Sequence, residues 1–238
     1  MRFFVEKING NSVDVCGEEF RHMVKVMRLN VGDNVTLFCG DGLDYLARIE
    51  KINKDNAVLK ILTSEPNANE PKKDIDIYLS LLKGEKMELV CQKITELGAN
   101  GLFLFETDNS DRKQGNIHLD RLQKIAISAS KQCGRSSTLK INVLTKKQVF
   151  DKLGSYDKVL FLYEKENHFT LKNLLNNIDE NEINNIAIII GPEGGFTPAE
   201  VDDFVATGAN SVSLGGLIQR AETAAISTTA IVANKFLL

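Results

Sequence analysis

Two glycine-rich loops in the C-terminal third of the chain carry the residues best suited to hold a small molecule. The first reads Gly191-Pro192-Glu193-Gly194-Gly195, and the second runs Leu214-Gly215-Gly216-Leu217-Ile218-Gln219-Arg220-Ala221-Glu222-Thr223. Each follows an apolar, strand-like run and precedes a helix-like run. Open α/β sheets bind ligands at such places, where the carboxyl ends of strands meet helix N-termini with free amides. Glu193, Arg220 and Glu222 are the charged groups nearby. A carboxylate at Glu193 disfavours a phosphate and suits a hydroxyl, an amine or a cation. An arginine at the positive end of a helix is slightly unfavourable, so Arg220 hints at an anionic partner. Glu222 has two readings, a favourable interaction with the helix dipole or a part in the chemistry. Gly194-Gly195 likewise suits either a tight turn or close approach of a ligand to the backbone.

Several chemical signatures are missing from the sequence. There is no phosphate loop of the G-x-x-x-x-G-K-[ST] type, no G-x-G-x-x-G fingerprint, no G-x-S-x-G nucleophile elbow and no H-E-x-x-H. The four cysteines (Cys16, Cys39, Cys91, Cys133) and three histidines (His22, His118, His168) are scattered, so no local metal site is expected and the thiols read as reduced. No apolar run reaches the length needed to cross a bilayer, and Arg2, Glu6 and Lys7 put charge too early for a signal peptide. A cytoplasmic location is expected. The net charge of −3 gives no global support for nucleic-acid binding, although a local patch can supply the attraction. Arg21, Lys25 and Arg28 form one candidate patch, spaced i, i+4 and i+7 on a predicted helix; the alternative is a solvated helix face.

Two kinds of element pattern surround these residues. Up to about residue 70, short β-branched or aromatic runs at 2–5, 12–15, 34–38 and 57–61 alternate with turn signals. One helix, predicted over 18–29, interrupts them, and a small barrel with one helix follows. Residues 65–73 are polar and bracketed by Pro66 and Pro71, which reads as a linker. Beyond it strands at 75–82, 102–105, 139–144, 158–163, 186–190 and 212–214 alternate with helices at 85–97, 119–132, 146–153, 170–177, 201–206 and 223–238. Such alternation predicts a mostly parallel sheet covered on both faces. Thr197-Pro198-Ala199-Glu200 fits a capping box after the first glycine loop.

Across nearly its whole length the chain resembles the RsmE family. These are uracil-N3 methyltransferases of small-subunit ribosomal RNA, within the SPOUT superfamily of S-adenosylmethionine-dependent enzymes. The resemblance rests on His22-Met23-Val24-Lys25-Val26-Met27-Arg28-Leu29 with Val31-Gly32-Asp33, on Lys83-Gly84-Glu85-Lys86-Met87-Glu88 with Gln92-Lys93-Ile94-Thr95-Glu96-Leu97-Gly98, on Ser110-Asp111-Arg112, on Gln132-Cys133-Gly134-Arg135, and on the two glycine loops. It implies a PUA-like RNA-binding barrel over residues 1–70 and a knotted α/β methyltransferase domain over 71–238, with a deep trefoil knot. It also implies a homodimer, S-adenosylmethionine as cofactor, no metal, and methylation of one uridine of 16S ribosomal RNA in the small subunit. Under that resemblance Leu162, Gly191, Glu193, Gly194, Gly195, Leu214, Gly215, Ile218 and Thr223 would hold the cofactor. Arg220 would stabilise charge on the uracil, with Glu222 as a base or orienting group. Arg21, Lys25, Arg28, Arg112 and Arg135 would hold RNA. The chain departs from the family pattern at Gly216, Leu217, Gln219 and Ala221. Two further readings stay open: a knotted methyltransferase for another RNA base or a ribose, and a non-catalytic RNA-binding assembly factor.

Overall fold

The computed structural model describes residues 1–110 and 117–237, which form two units. One comprises Met1–Glu70 and Ile127–Thr138, the other Pro71–Ala126 and Leu139–Leu238. Residues 127–138 thus cluster with the first unit, although the sequence reading leaves them in the second domain.

The first unit is built on strands β1 (Arg2–Phe4), β2 (Ser12–Cys16), β3 (Asn34–Phe38), β4 (Leu43–Ile52) and β5 (Asn56–Pro66). They form one sheet in the order β1-β3-β4-β5-β2, with β1 parallel to β3 and every other pairing antiparallel. Alternation sorts the residues: Val35 and Leu37, Ala47 and Ile49, and Ala57 and Leu59 point into a core with Phe3, Phe20 and Met23. Helix α1 (Gly17–Arg21) is short, and a π turn over His22–Val26 replaces the rest of the helix predicted to residue 29. There Met27 N–H donates to the His22 carbonyl at 2.9 Å and Leu29 N–H to the Met23 carbonyl at 3.1 Å. Arg28 then takes the left-handed region, at φ 55°. The wider turn re-phases the side chains, so the i, i+7 relation of Arg21 to Arg28 does not hold.

In the second unit strands and helices alternate. In chain order they are β6 (Asp74–Ser80), α2 (Lys86–Glu96), β7 (Gly101–Phe105), α3 (Leu119–Cys133, whose residues from Ile127 on cluster with the first unit), β8 (Lys140–Leu144), α4 (Lys146–Leu153), β9 (Lys158–Leu162), α5 (Leu171–Asn176), β10 (Asn185–Ile190), α6 (Pro198–Ala206), β11 (Asn210–Val212) and α7 (Ala221–Phe236). The six strands lie in the order β11-β9-β10-β6-β7-β8, and all of these pairings are parallel. Both faces are covered, which is why β10 reads as one continuous apolar run. Ile186, Ile188 and Ile190 face a core containing α2 and α7 residues, while Ala187 and Ile189 face Phe161, Phe196 and Phe204. Strand β11 ends at Val212, two residues short of the expected strand end. Helix α7 opens at Ala221, so Glu222 lies inside its first turn and not ahead of the helix.

Candidate functional site

The carboxyl ends of β9, β10 and β11 are neighbours, and the loops leaving them, with the start of α7, wall a cavity of about 480 Å3. Leu162, Ile190 and Val212 end the three strands at its base. Of the residues expected to hold a cofactor, Leu162, Gly191, Glu193, Gly194, Gly195, Leu214, Gly215 and Ile218 line this cavity, as does Arg220. Thr223 stands exposed on α7 and is not among the lining residues.

The two glycine loops solve different problems. In the first loop the molecule's own side chains fill the space a Cβ would need. A Cβ at Gly191 would sit 2.8 Å from Phe196 Cε2, and one at Gly194 would be 3.1 Å from Asn109 Cβ. Gly195, at φ 69°, would place its Cβ 2.8 Å from Glu164 Oε1. Asn109 Nδ2 donates to the Gly195 carbonyl at 3.0 Å and to that of Gly194 at 3.3 Å. The glycines here make a tight, tethered turn. The second loop is open: Gly215, at φ 113°, and Gly216 have no atom within 4 Å of a Cβ position. Leu217 beside them is 86% exposed. A ligand can therefore approach the backbone at this loop.

Helix α6 holds the first loop in place. Thr197 caps the helix, and Glu200 returns the bond, its Oε2 accepting from Thr197 N–H at 3.0 Å. Glu200 Oε1 also accepts from Asp108 N–H at 3.0 Å and from Lys146 Nζ at 2.8 Å. Burial raises this carboxyl's pKa, but these donors outweigh it and hold the group below its usual range.

The charged residues divide by role. Glu193 Oε1 accepts from Lys86 Nζ at 2.9 Å and from Lys83 N–H at 3.2 Å. Burial pushes Glu193 up, the Lys86 hydrogen bond pulls it down, and the net lies below the usual carboxylate range. Arg220 is the N-cap residue of α7, exposed at the cavity wall, and its side chain makes no cap bond. Glu222 does not line the cavity; its side chain is 12% exposed and lies 3.8 Å from Lys86 Nζ. That position argues against Glu222 as a base acting on a ligand in the cavity.

The basic residues expected to meet RNA also divide. Arg21, Lys25 and Arg28 are exposed on the first unit. Arg135 is only 3% exposed, and its Nη2 donates to Ser137 Oγ at 2.7 Å. Around it Glu70 accepts from the N–H groups of Ser136 and Ser137, and Asp44 takes both Arg2 Nη atoms at 2.8 and 3.0 Å. Arg135 is thus a buried member of a polar cluster and not a surface phosphate ligand. Arg112 lies outside the described residues.

Lys86, Tyr163, Glu164, Phe196 and Ala224 also line the cavity, unassigned by sequence reasoning. A signal for Lys86 existed: it opens a helix just after the carboxyl end of β6, at the edge of the sheet that bears ligands. The walls combine apolar side chains (Leu162, Ile190, Leu214, Ile218), loop backbone and both signs of charge. That donor set fits a cofactor with a flat aromatic base, hydroxyls and charged ends, as S-adenosylmethionine has.

Residues 69–233 match the model for an RNA methyltransferase domain, and residues 15–62 that for an RNA methyltransferase PUA domain. The ribosomal RNA small subunit methyltransferase E of Mesomycoplasma hyopneumoniae (strain 232) is 31% identical over 230 residues, covering 94% of this chain and 95% of that protein. Its namesake in Bacillus subtilis (strain 168) is 29% identical over 240 residues, covering 94% and 92%. Among solved structures, a ribosomal RNA small subunit methyltransferase E from Neisseria gonorrhoeae bound to S-adenosyl methionine superposes with a TM-score of 0.87 at 27% identity, covering 99% of this chain and 97% of that one.

Proposed function

The chain belongs to the family of the ribosomal RNA small subunit methyltransferases E, and from that premise we propose that it methylates N3 of one uridine in 16S ribosomal RNA, with S-adenosylmethionine as methyl donor. The observation that carries the reading is Arg220 exposed on the wall of the strand-end cavity, at the start of α7.

When bound, S-adenosylmethionine supplies a methyl carbon made electrophilic by its sulfonium. Leu162, Leu214 and Ile218 would flank its apolar parts, and the backbone of the 191–195 and 214–218 segments would meet its polar groups. N3 of uracil carries a proton that must pass to a base or to solvent water, and its departure leaves negative charge on the ring. Of the two cations at the cavity wall, Lys86 is bonded to Glu193, and the exposed Arg220 is the one we assign to stabilise that charge, helped by the positive end of α7. The main task of the other residues is placement, because an in-line displacement rewards correct orientation far more than added binding.

Arg21, Lys25 and Arg28 serve in this reading as phosphate contacts of the first unit. The same reading takes the protein to the cytoplasm, to the small ribosomal subunit, and to a homodimer with a trefoil knot in the second unit. Among the described residues no helix is long and apolar enough to cross a membrane.

Small subunits lacking the modification, incubated with labelled S-adenosylmethionine, should yield labelled 3-methyluridine on nucleoside mass spectrometry. A different methylated nucleoside would move the activity to another base or to ribose. Cofactor binding without transfer would point to another RNA. Neither binding nor transfer would favour the reading as a non-catalytic RNA-binding assembly factor.

A further inference from the structure

Lys86 is the first residue of α2, and its side chain reaches the cavity wall. Its ammonium donates to Glu193 Oε1 at 2.9 Å and lies 3.8 Å from Glu222 Oε2. One cation thereby joins three segments far apart in sequence: the start of α2, the first glycine loop and the first turn of α7. Glu222 Oε2 is buried and has no hydrogen-bond partner among the described residues. Among the described residues Lys86 is the cation paired with it. A carboxylate in such a place is costly unless a nearby positive group compensates it. Among the described residues the glycine loop has two other ties: Asn109 holds its Gly194 and Gly195 carbonyls, and Lys83 N–H holds Glu193.

Resting on the methyltransferase reading, we propose that Lys86 is a positioning residue that presets the cofactor cavity by holding the Glu193 loop and the start of α7 together. Without the ammonium, Glu193 and Glu222 are two uncompensated carboxylates that repel each other. The loop and the helix start then separate, and a ligand must spend binding energy to bring them back. A purely electrostatic effect on the sulfonium predicts the opposite: losing a cation would strengthen binding of the sulfonium ligand and leave the thioether analogue, which lacks that charge, unchanged. S-adenosylmethionine and S-adenosylhomocysteine make that comparison, since they differ in the methyl group and the sulfonium charge.

The test is calorimetric titration of both compounds into the full chain, as wild type, K86M and K86R. The proposal expects K86M to weaken both by a similar factor, on the order of tenfold, the size of an ordinary coupling between sites. K86R should restore most of the affinity, because it keeps the charge and the donors. In turnover assays the K86M loss should fall on the KM for the cofactor and spare kcat. Equal affinities for wild type and K86M overturn the proposal, as does tighter binding of S-adenosylmethionine alone. Thermal unfolding of K86M checks the fold; should it not fold, K86Q, which keeps a polar side chain and loses the charge, carries the same expectation. If the wild type itself binds neither compound, the methyltransferase reading fails, and that result is distinct from a failure of the Lys86 role.

Discussion

Glu200 Oε1 and the Lys146 ammonium meet at 2.8 Å, with the glutamate side chain only 2% exposed. The pair links α4 to the start of α6, and Lys146 Nζ also bonds Asp108 Oδ1 at 2.7 Å. K146M leaves a buried carboxylate with its N–H donors but no counter-ion. A loss of about 1–3 kcal/mol is expected, less than for a fully buried pair because the Lys146 side chain is 31% exposed and water screens it. Urea unfolding of K146M against wild type measures it, and a change under about 1 kcal/mol would mean that water replaces the lysine.

Glu200 also sets a pH dependence. Its folded pKa lies below the ordinary 4.5, so folding holds it in the charged form. The stability it contributes is present above 4.5 and is lost as pH falls through the folded value. The unfolding free energy of wild type should therefore drop below pH 4.5, more steeply than that of E200Q. Parallel curves for the two proteins would show that Glu200 does not contribute to the acid loss. Other depressed carboxyls, Asp44 and Glu193 among them, keep some slope in both proteins.

Arg220→Ala should lower kcat by about 10²–10³, the usual loss for one donor that stabilises developing charge. Affinity for S-adenosylmethionine should change little, because the backbone and apolar walls remain. Near-normal turnover with saturating RNA would remove Arg220 from the charge-stabilising role.

Replacing Arg21 or Lys25 with alanine should weaken RNA binding and reduce the slope of log K against log salt by about 0.7–0.9 for each phosphate that is no longer neutralised. Arg135→Met is the contrast: it should destabilise the fold and leave the slope as it was, since Arg135 is buried. An unchanged slope for both surface variants would return Arg21 and Lys25 to a solvated helix face.

Gly195→Ala meets two obstacles, a φ of 69° and a Glu164 oxygen 2.8 Å from the new Cβ. Backbone strain of this kind costs about 1–3 kcal/mol. Relief by opening the turn would distort the cavity rim, so titration calorimetry should find weaker cofactor binding. Unchanged affinity would show that the turn tolerates a side chain there.

Local signals made much of the second unit legible. The capping box at Thr197 and Glu200 is present, and α4 runs from Lys146 to Leu153 as predicted. Both features depend on neighbours in sequence, which propensity and capping rules capture. Strand β4 was harder to see. Its alternation of Leu43, Tyr45, Ala47 and Ile49 is regular, but Asp44, Arg48, Glu50 and Lys51 dilute the apolar content, and β4 and β5 slip register twice. The π turn at His22–Val26 has no local sequence rule that marks it. At the site, the cavity-lining glycines stood out as a cluster in sequence. Lys86 did not, and neither did the burial of Arg135, because what decides them is distant in sequence: Glu193 and Glu222 for one, the cluster of Arg2, Asp44 and Glu70 for the other. Burial of an arginine cannot be read from its neighbours along the chain.

Apart from Lys86, every residue walling the cavity falls between Leu162 and Ala224. A ribosome making this chain completes the five strands of the first sheet by Pro66 and reaches the last wall of the cavity only at Ala224. The binding site is therefore completed well after the first sheet during translation. A nascent chain halted before β11 carries Arg21 and Lys25 but no finished cavity.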